Sequence, residues 1–589
     1  MNIVILSDHC KKTSLIILKI MAFNPKVFYT IVALLFLCQH SFSQSFPEKN
    51  YPQQYFQWPV GTAVGIVANF GELRPNHYHM GLDCRTDQKV NVPVYAAAEG
   101  YIARVKIEPF GFGRSITINH PNGLSTLYAH LNLFAPELEK YITDQQYKLQ
   151  QWDVTIAVPE KLFPVSKGDP IAYSGNTGGS QGPHTHFEIR DTKTDKVLNP
   201  LLFGFPIPDT IPPNIIRLAI YDRRYSTYEQ IPKIYSLKKI KGIYQPVTAI
   251  IPVSTDKLSF AITAFDRYTG STNQNGIYKA LLYDNGNAIC GFEMDSISYD
   301  ETRYLNAHID YKTRSNGGPF LEHLSRLPGY INGIYKTDDS DGVIFLEDTT
   351  VHLIKILVTD ANGNNSTLEF YVKINAVVEK NIVANRSIVF YPGYVNVFEN
   401  ADICFYLPEN CIYDSFHFTY NEVVPASGKR IYQLHNTSVP LQTYFPVSIR
   451  ADFSTNDTGR IVMKRSSGSK EDYKKAVYEN GWYRASFREF GNFQLMVDSI
   501  PPAVTPLGFK EGMKTSKLSR IKFAVIDNTE EIKKFTALLD GNWLRFSNDK
   551  GRNFIYEFDE HCSSGEHELI IIAEDQVGNK TEKRYHFTR

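Results

Sequence analysis

The chain is 589 residues long, carries 62 basic and 62 acidic residues, and is 43% hydrophobic. A balanced charge gives no electrostatic case for nucleic acid or an anionic membrane surface as partner, and the length predicts three to five domains. Aromatic content of 13%, in recurrent runs with Val and Ile, favours strands over helices.

The chain opens on a leader. From Met21, Lys26 precedes the apolar VFYTIVALLFL and the small-polar CQHSFSQ, which are the three zones of a secretory signal peptide. That apolar core is too short for a comfortable transmembrane helix, so no span is expected after the signal. Residues 1–44 read as leader, cleaved near Ser43 or Gln44, with Met21 as an alternative start. A lipid anchor at Cys38 is the weaker reading, because Leu37 stands where a small residue normally precedes such a cysteine. The product is expected in the periplasm or cell envelope, with secretion as a further possibility.

Residues 45–205 form the first domain. Six of the sixteen histidines fall within it, four of them in the phrases HMGLD, YAHL and GPHTHFE. His79 and Asp83 are four apart, which places them on one face of a strand or of a helical turn, and Gly81 argues against the helix. SITINH and LSTLYAHL read as a hairpin across Pro121, Asn122 and Gly123, with His130 at the strand's end. APELEKYITDQQYKLQQ predicts a helix beginning at Pro136, with an incomplete apolar stripe of Leu138, Tyr141, Ile142 and Tyr147. Placed just after His130, it is expected to wall a groove or simply to pack on the surface. The loop SGNTGG lacks the Lys and Ser/Thr of a phosphate cradle and suits a close backbone approach to substrate.

HTHFEIR then alternates. Thr185, Phe187 and Ile189 face one way, and His184, His186, Glu188 and Arg190 the other. A catalytic zinc takes three ligands drawn from His, Asp, Glu and Cys and leaves one position open, and these phrases supply that donor set. Cys84 is a poorer ligand, because strand neighbours point opposite ways. Glu188 and Arg190 read as partners of the histidines or, more simply, as a rim salt bridge. His77 is expected at the surface and His120 in solvent.

The motifs HxGxD, YAHL and SGNTGGSQGPHTHFE resemble the lysostaphin and LytM type of zinc metallopeptidase over about residues 70–202. The resemblance implies one zinc ion held by His79, Asp83 and His186, with His130 and His184 as the catalytic pair. Strand alternation by itself does not separate His184 from His186. The implied reaction is hydrolysis of peptide cross-links in peptidoglycan, a D-Ala to diamino-acid bond being the expectation for a directly linked wall. Two alternatives are a noncatalytic LytM-like regulator of another wall hydrolase and an envelope adhesion or binding protein. Regulators of that kind lose metal-binding residues, whereas all five positions are filled here.

The remainder contains a repeat. DTIPPNIIRLAI (209–220) is echoed by DSIPPAVTPLGF (498–509), FAITAFDRYTG by KFAVIDNTEE, and HLIKILVTDANGN by HELIIIAEDQVGN. Short strands at regular spacing with D-x-x-G-N turns predict immunoglobulin-like sandwiches at 206–378, with an insertion near 297–345, and at 498–589. A strand-rich module fills 379–497. The fold class is therefore mainly β: an antiparallel peptidase domain with a short helical insertion, followed by about three sandwich modules. These modules are expected to act as spacers or as docking surfaces for an envelope protein partner. His308, His323, His352 and His417 read as structural or solvated. Cys404 and Cys411 bracket FYLPEN and invite a disulfide.

Overall fold

The computed structural model describes residues 49–589 except 348, 377–387, 427, 452, 454–457 and 552. The expected signal peptide and Cys38 lie outside the described residues. Strands account for 46% of the chain and helices for 7%, in agreement with a mainly β class. Among the described residues no helix is long and apolar enough to cross a membrane.

The first domain is an antiparallel sheet in the order Ile66–Ala68, Leu82–Arg85, His184–Asp191, Leu124–Ala129, Arg114–Asn119, Gly100–Ile107, Val154–Ala157. Its central strand buries Phe187 and Ile189 in the core with Ile116, Ile118 and Tyr128, so the period-two reading of HTHFEIR holds. A second sheet of Pro93–Tyr95, Pro170–Tyr173 and Leu133–Phe134 adds Val94, Ile171 and Phe134 to that core. The hairpin closes as expected, with Gly123 in the left-handed region at φ 82°. His120 is not in solvent, however. It is buried, its Nδ1–H donating to Glu99 O and its Nε2 within hydrogen-bond distance of Thr126 Oγ1, with Phe56 against its ring.

The predicted helix runs Pro136–Leu149 and buries Leu138, Ile142 and Gln146. Tyr147, assigned to the apolar stripe, faces another partner: its ring stacks on His561 at 3.7 Å and meets Trp543 edge-on at 5.3 Å. The helix is thus a seat for the C-terminal end of the chain.

Three further blocks of strands follow, within 214–374, 388–497 and 503–588. Each has its own apolar core, but the first block's core also takes in Phe70, Tyr78, Met80 and Val197 of the first domain. The link is also made by backbone, since Ser296–Ile297 pairs with Val197–Leu198 and extends the first domain's sheet. Cys404 and Cys411 are not joined; the five described cysteines are free thiols, and Cys411 Sγ lies 3.6 Å from Thr443 O.

Candidate metal centre

Cross-strand register brings the four histidines together. His186 stands opposite Asp83 on one side and Ala129 on the other, so His130, the next residue, lands beside it. His130 leaves its strand with φ 59°, and its ring comes within 4.9 Å of His184 and 5.9 Å of His186. His79 enters from the segment before Leu82–Arg85. That segment alternates as a strand does: Tyr78 and Met80 are buried in the first block's core, while His79 turns the other way onto the sheet. Burying Tyr78 and Met80 contributes about 1.5–3 kcal/mol each, so the neighbouring block buttresses the segment that presents His79.

The inner atoms form a tight triangle. His79 Nε2 is 2.9 Å from Asp83 Oδ1, His186 Nδ1 is 3.0 Å from the same oxygen, and the two nitrogens are 3.1 Å apart. Three donors ~2.0–2.1 Å from a tetrahedral zinc would be about 3.3 Å apart, close to this spacing.

The outer atoms settle the tautomers. His79 Nδ1 faces Asn69 O at 2.7 Å, and a carbonyl can only accept, so the proton is on Nδ1 and a lone pair on Nε2 points inward. His186 Nε2 donates to Glu188 Oε1 at 2.9 Å, which makes Nδ1 the atom that can present a lone pair inward to a cation. Two ring nitrogens and a carboxylate oxygen therefore converge, and a cation bound there displaces the proton they would otherwise share. That arrangement fits a borderline cation such as zinc. Without a cation the triangle holds a proton instead: burial opposes charge on His186, yet the hydrogen bonds it donates to Asp83 and Glu188 prevail and raise its pKa to about 9. Burial likewise opposes charge on Asp83, but His79, His184 and His186 hold it well below the usual carboxylate range.

His184 and His130 stand outside the triangle. His184 Nδ1 faces Gly182 O at 2.8 Å with Ser180 Oγ at 3.2 Å, and its Nε2 reaches Asp83 Oδ1 at 3.3 Å. His130 Nδ1 faces Thr177 O at 2.8 Å. Burial, aided by His184 and His186, pushes His130 down to about 3, so its imidazole is neutral at pH 7. Each ring is thus held at Nδ1 by a backbone carbonyl, which leaves Nε2 as the nitrogen free to exchange a proton. His77 is exposed, as expected, and Cys84 is buried in the core on the opposite face.

Glu188 and Arg190 do not form a rim salt bridge. Both are buried, and Arg190 Nε donates to Glu188 Oε2 at 2.6 Å, so the pair lies behind His186 as a charged support. Tyr299, which sequence reasoning missed, also donates to Glu188 Oε1, from more than a hundred residues downstream. The C-terminal block reaches the site too. Asp549 Oδ1 accepts from Gly178 N at 2.8 Å, and Lys550 Nζ donates to Ser180 O at 2.7 Å, which pins the glycine loop that positions His184. No motif near Tyr299, Asp549 or Lys550 signals these contacts.

Gly81 explains itself here. A Cβ on it would lie 2.4 Å from Phe187 O and 2.9 Å from the His186 ring. Gly81→Ala is expected to push the two ligand segments apart, costing about 1–3 kcal/mol of stability by overpacking. Competition with a chromophoric chelator should show zinc affinity at least ~10-fold weaker, a loss of the size seen when ligand orientation is disturbed.

Residues 77–146 match peptidase family M23, and residues 388–498 match the Zu5-like domain. The chain carries an M23 peptidase domain. Among curated relatives, the DD-carboxypeptidase/endopeptidase Mpg of Neisseria meningitidis serogroup B is 31% identical over 22% of this chain and 24% of its own length. The peptidoglycan DD-endopeptidase ShyA of Vibrio cholerae serotype O1 is 26% identical over 27% of this chain and 32% of its own. The matched region therefore spans a quarter to a third of these relatives. A solved zinc-containing peptidase from Vibrio cholerae is 24% identical, with TM-score 0.19, over 25% of this chain and 39% of its own.

Proposed function

We propose that the chain is a zinc-dependent endopeptidase that hydrolyses peptide cross-links of peptidoglycan, with water as nucleophile. The observation that carries this reading is the triangle of inward ligand atoms of His79, Asp83 and His186 with the His130 and His184 imidazoles beside it. When bound there, zinc supplies Lewis acidity toward a peptide carbonyl and lowers the pKa of water to about 7. His184 and His130 each take up a proton at Nε2 while Nδ1 stays fixed on a backbone carbonyl. That suits them to accept the proton of the attacking water, to hold the oxyanion once charged, and to return a proton to the leaving amine. The carbonyls of Thr177 and Gly182 keep both rings aimed, so little reorganisation is needed during turnover. Action on the wall implies export, in line with the expected signal peptide.

The test uses the full mature chain on purified, directly cross-linked peptidoglycan, with mass spectrometry of the released fragments. Cleavage at D-Ala to diamino-acid bonds, abolished by chelation and restored by zinc, is expected. Undiminished digestion after the metal is stripped, or no new fragments from the zinc-loaded chain, overturns the proposal.

The glycine loop gives a second expectation. Removing both anchors with Asp549→Ala and Lys550→Ala frees the segment whose Gly182 O and Ser180 Oγ hold His184. Turnover should fall roughly 10-fold, because loose positioning weakens proton transfer. Zinc per chain should stay unchanged when measured by atomic absorption.

A further inference from the structure

The repeat places three carboxylates together twice. One trio is Asp209, just before the block within 214–374, with Asp266 and Asp360 inside it; the other is Asp498, just before the C-terminal block, with Asp527 and Asp575 inside it, the same positions of the two copies. Each trio has one carboxylate oxygen per residue within 4.8 Å of the others. No lysine or arginine is ion-paired to any of the six among the described residues.

The two copies satisfy these carboxylates differently. In the C-terminal copy, Asn528 and Thr529, directly after Asp527, supply donors: Asn528 Nδ2 to Asp498 at 3.1 Å and Thr529 Oγ1 to Asp527 at 2.6 Å. In the first copy the matching positions are Arg267 and Tyr268, and neither oxygen of Asp266 has a hydrogen-bond partner although the residue is 1% exposed. Asp209 Oδ2 is unpartnered as well. Asp360 is occupied only by its own turn, through Asn362 N and the Asn364 backbone and side chain.

A second feature, independent of the acidic residues, points the same way. Asn275 forms a backbone bridge with Asp266, and side chains of a bridged pair leave on the same side. Asn275 is 2% exposed, its Nδ2 donates to Asn273 O, and its Oδ1 has no partner. A buried acceptor without a donor costs about 1–3 kcal/mol, and here several face one another. Burial and the mutual repulsion with Asp209 and Asp360 push Asp266 up to about 7, and burial pushes Asp209 up to about 6.

We propose that Asp209, Asp266 and Asp360, with Asn275 Oδ1, bind a divalent cation of the calcium type in the first block. Oxygen-only donors select a hard cation, and carboxylates plus an amide carbonyl are a calcium set, water completing the shell. Asp209 is the less buried member and provides the way in. The ion would sit where the chain leaves the peptidase domain, tying Asp209 to the hairpin of Asp266 and Asn275. The next residue, Gly276, exchanges two hydrogen bonds with the Asn69 side chain, at 2.8 and 3.0 Å, and Asn69 O holds His79. The calcium site therefore lies a short covalent and hydrogen-bonded path from a catalytic metal ligand.

The test is calorimetric titration of the zinc-loaded full chain with calcium chloride, paired with thermal melts in calcium-free and calcium-containing buffer. Saturable binding with Kd on the order of 10⁻⁴ M or tighter and a rise in Tm of several degrees are expected for the natural chain. Asp266→Asn, an isostere that removes one repelling charge, should lose that ion and the Tm response while melting no lower than the natural chain without calcium. Asp527→Asn should keep both responses. No saturable binding to the natural chain, unchanged stoichiometry in Asp266→Asn, a lower calcium-free Tm for that variant, or loss of the response in Asp527→Asn instead would each overturn the proposal.

Discussion

His186→Ala is expected to lose bound zinc and hydrolysis together, whereas His184→Ala keeps most of its zinc and loses hydrolysis alone. The reason is the direction of their lone pairs. His186 Nδ1 contacts both His79 Nε2 and Asp83 Oδ1 and completes the triangle. Its removal leaves two donors, too few for a site that needs three, and leaves buried Glu188 without the group it supports. His184 touches the triangle only at its Asp83 corner, at 3.3 Å, so the ligand set survives its loss. What goes is a proton acceptor worth typically 10²–10⁴-fold in rate. Zinc per chain by atomic absorption and turnover on purified peptidoglycan, measured on the same samples, give the two readouts. Equal zinc loss in both variants would show that ligand and proton carrier are not divided between them.

That division is where sequence legibility ends. Alternation in HTHFEIR places His184 and His186 on one face because Phe187 and Ile189 must be buried on the other, and the structure follows it. It cannot rank the two, since both lie on the same side. What ranks them is register: His186, not His184, is opposite Asp83, and register depends on a strand a hundred residues away. The same limit hid Tyr299, Asp549 and Lys550, which reach the site from other blocks of the chain and belong to no local pattern. His120 was misjudged for a related reason. Beside a hairpin turn it looks solvated, but Tyr55 and Phe56, some sixty residues earlier, pack over it. The repeat was legible as strands and D-x-x-G-N turns, where the glycine signals the left-handed position. Convergence of the three aspartates became visible only when the Pro-Pro segment, the hairpin strand and the closing turn were seen at one end of the block.

Replacing Glu188 tests the support behind His186. Its carboxylate is fully buried; it accepts from His186 Nε2–H and from Tyr299 OH through Oε1, and from Arg190 through Oε2. Burial alone would neutralise it, but Arg190 and the His186 hydrogen bond outweigh that and hold its pKa below the usual carboxylate value. Glu188→Gln keeps the volume and removes the charge, and its amide must turn an N–H toward groups that are themselves donors. Among the described residues Arg190 then keeps only Asp195 as an ion partner, and the Asp195 side chain is 61% exposed. Breaking a buried pair in this way costs about 3–5 kcal/mol, visible in urea or thermal melts. Because the His186 ring loses its acceptor, zinc affinity should also fall, about 10–100-fold. Activity at saturating zinc distinguishes support from chemistry: a variant restored to near-normal kcat by excess zinc places Glu188 behind the ligand. A variant that stays inactive when fully loaded would instead put Glu188 in the proton path, against the geometry in which His186 stands between it and the reacting groups.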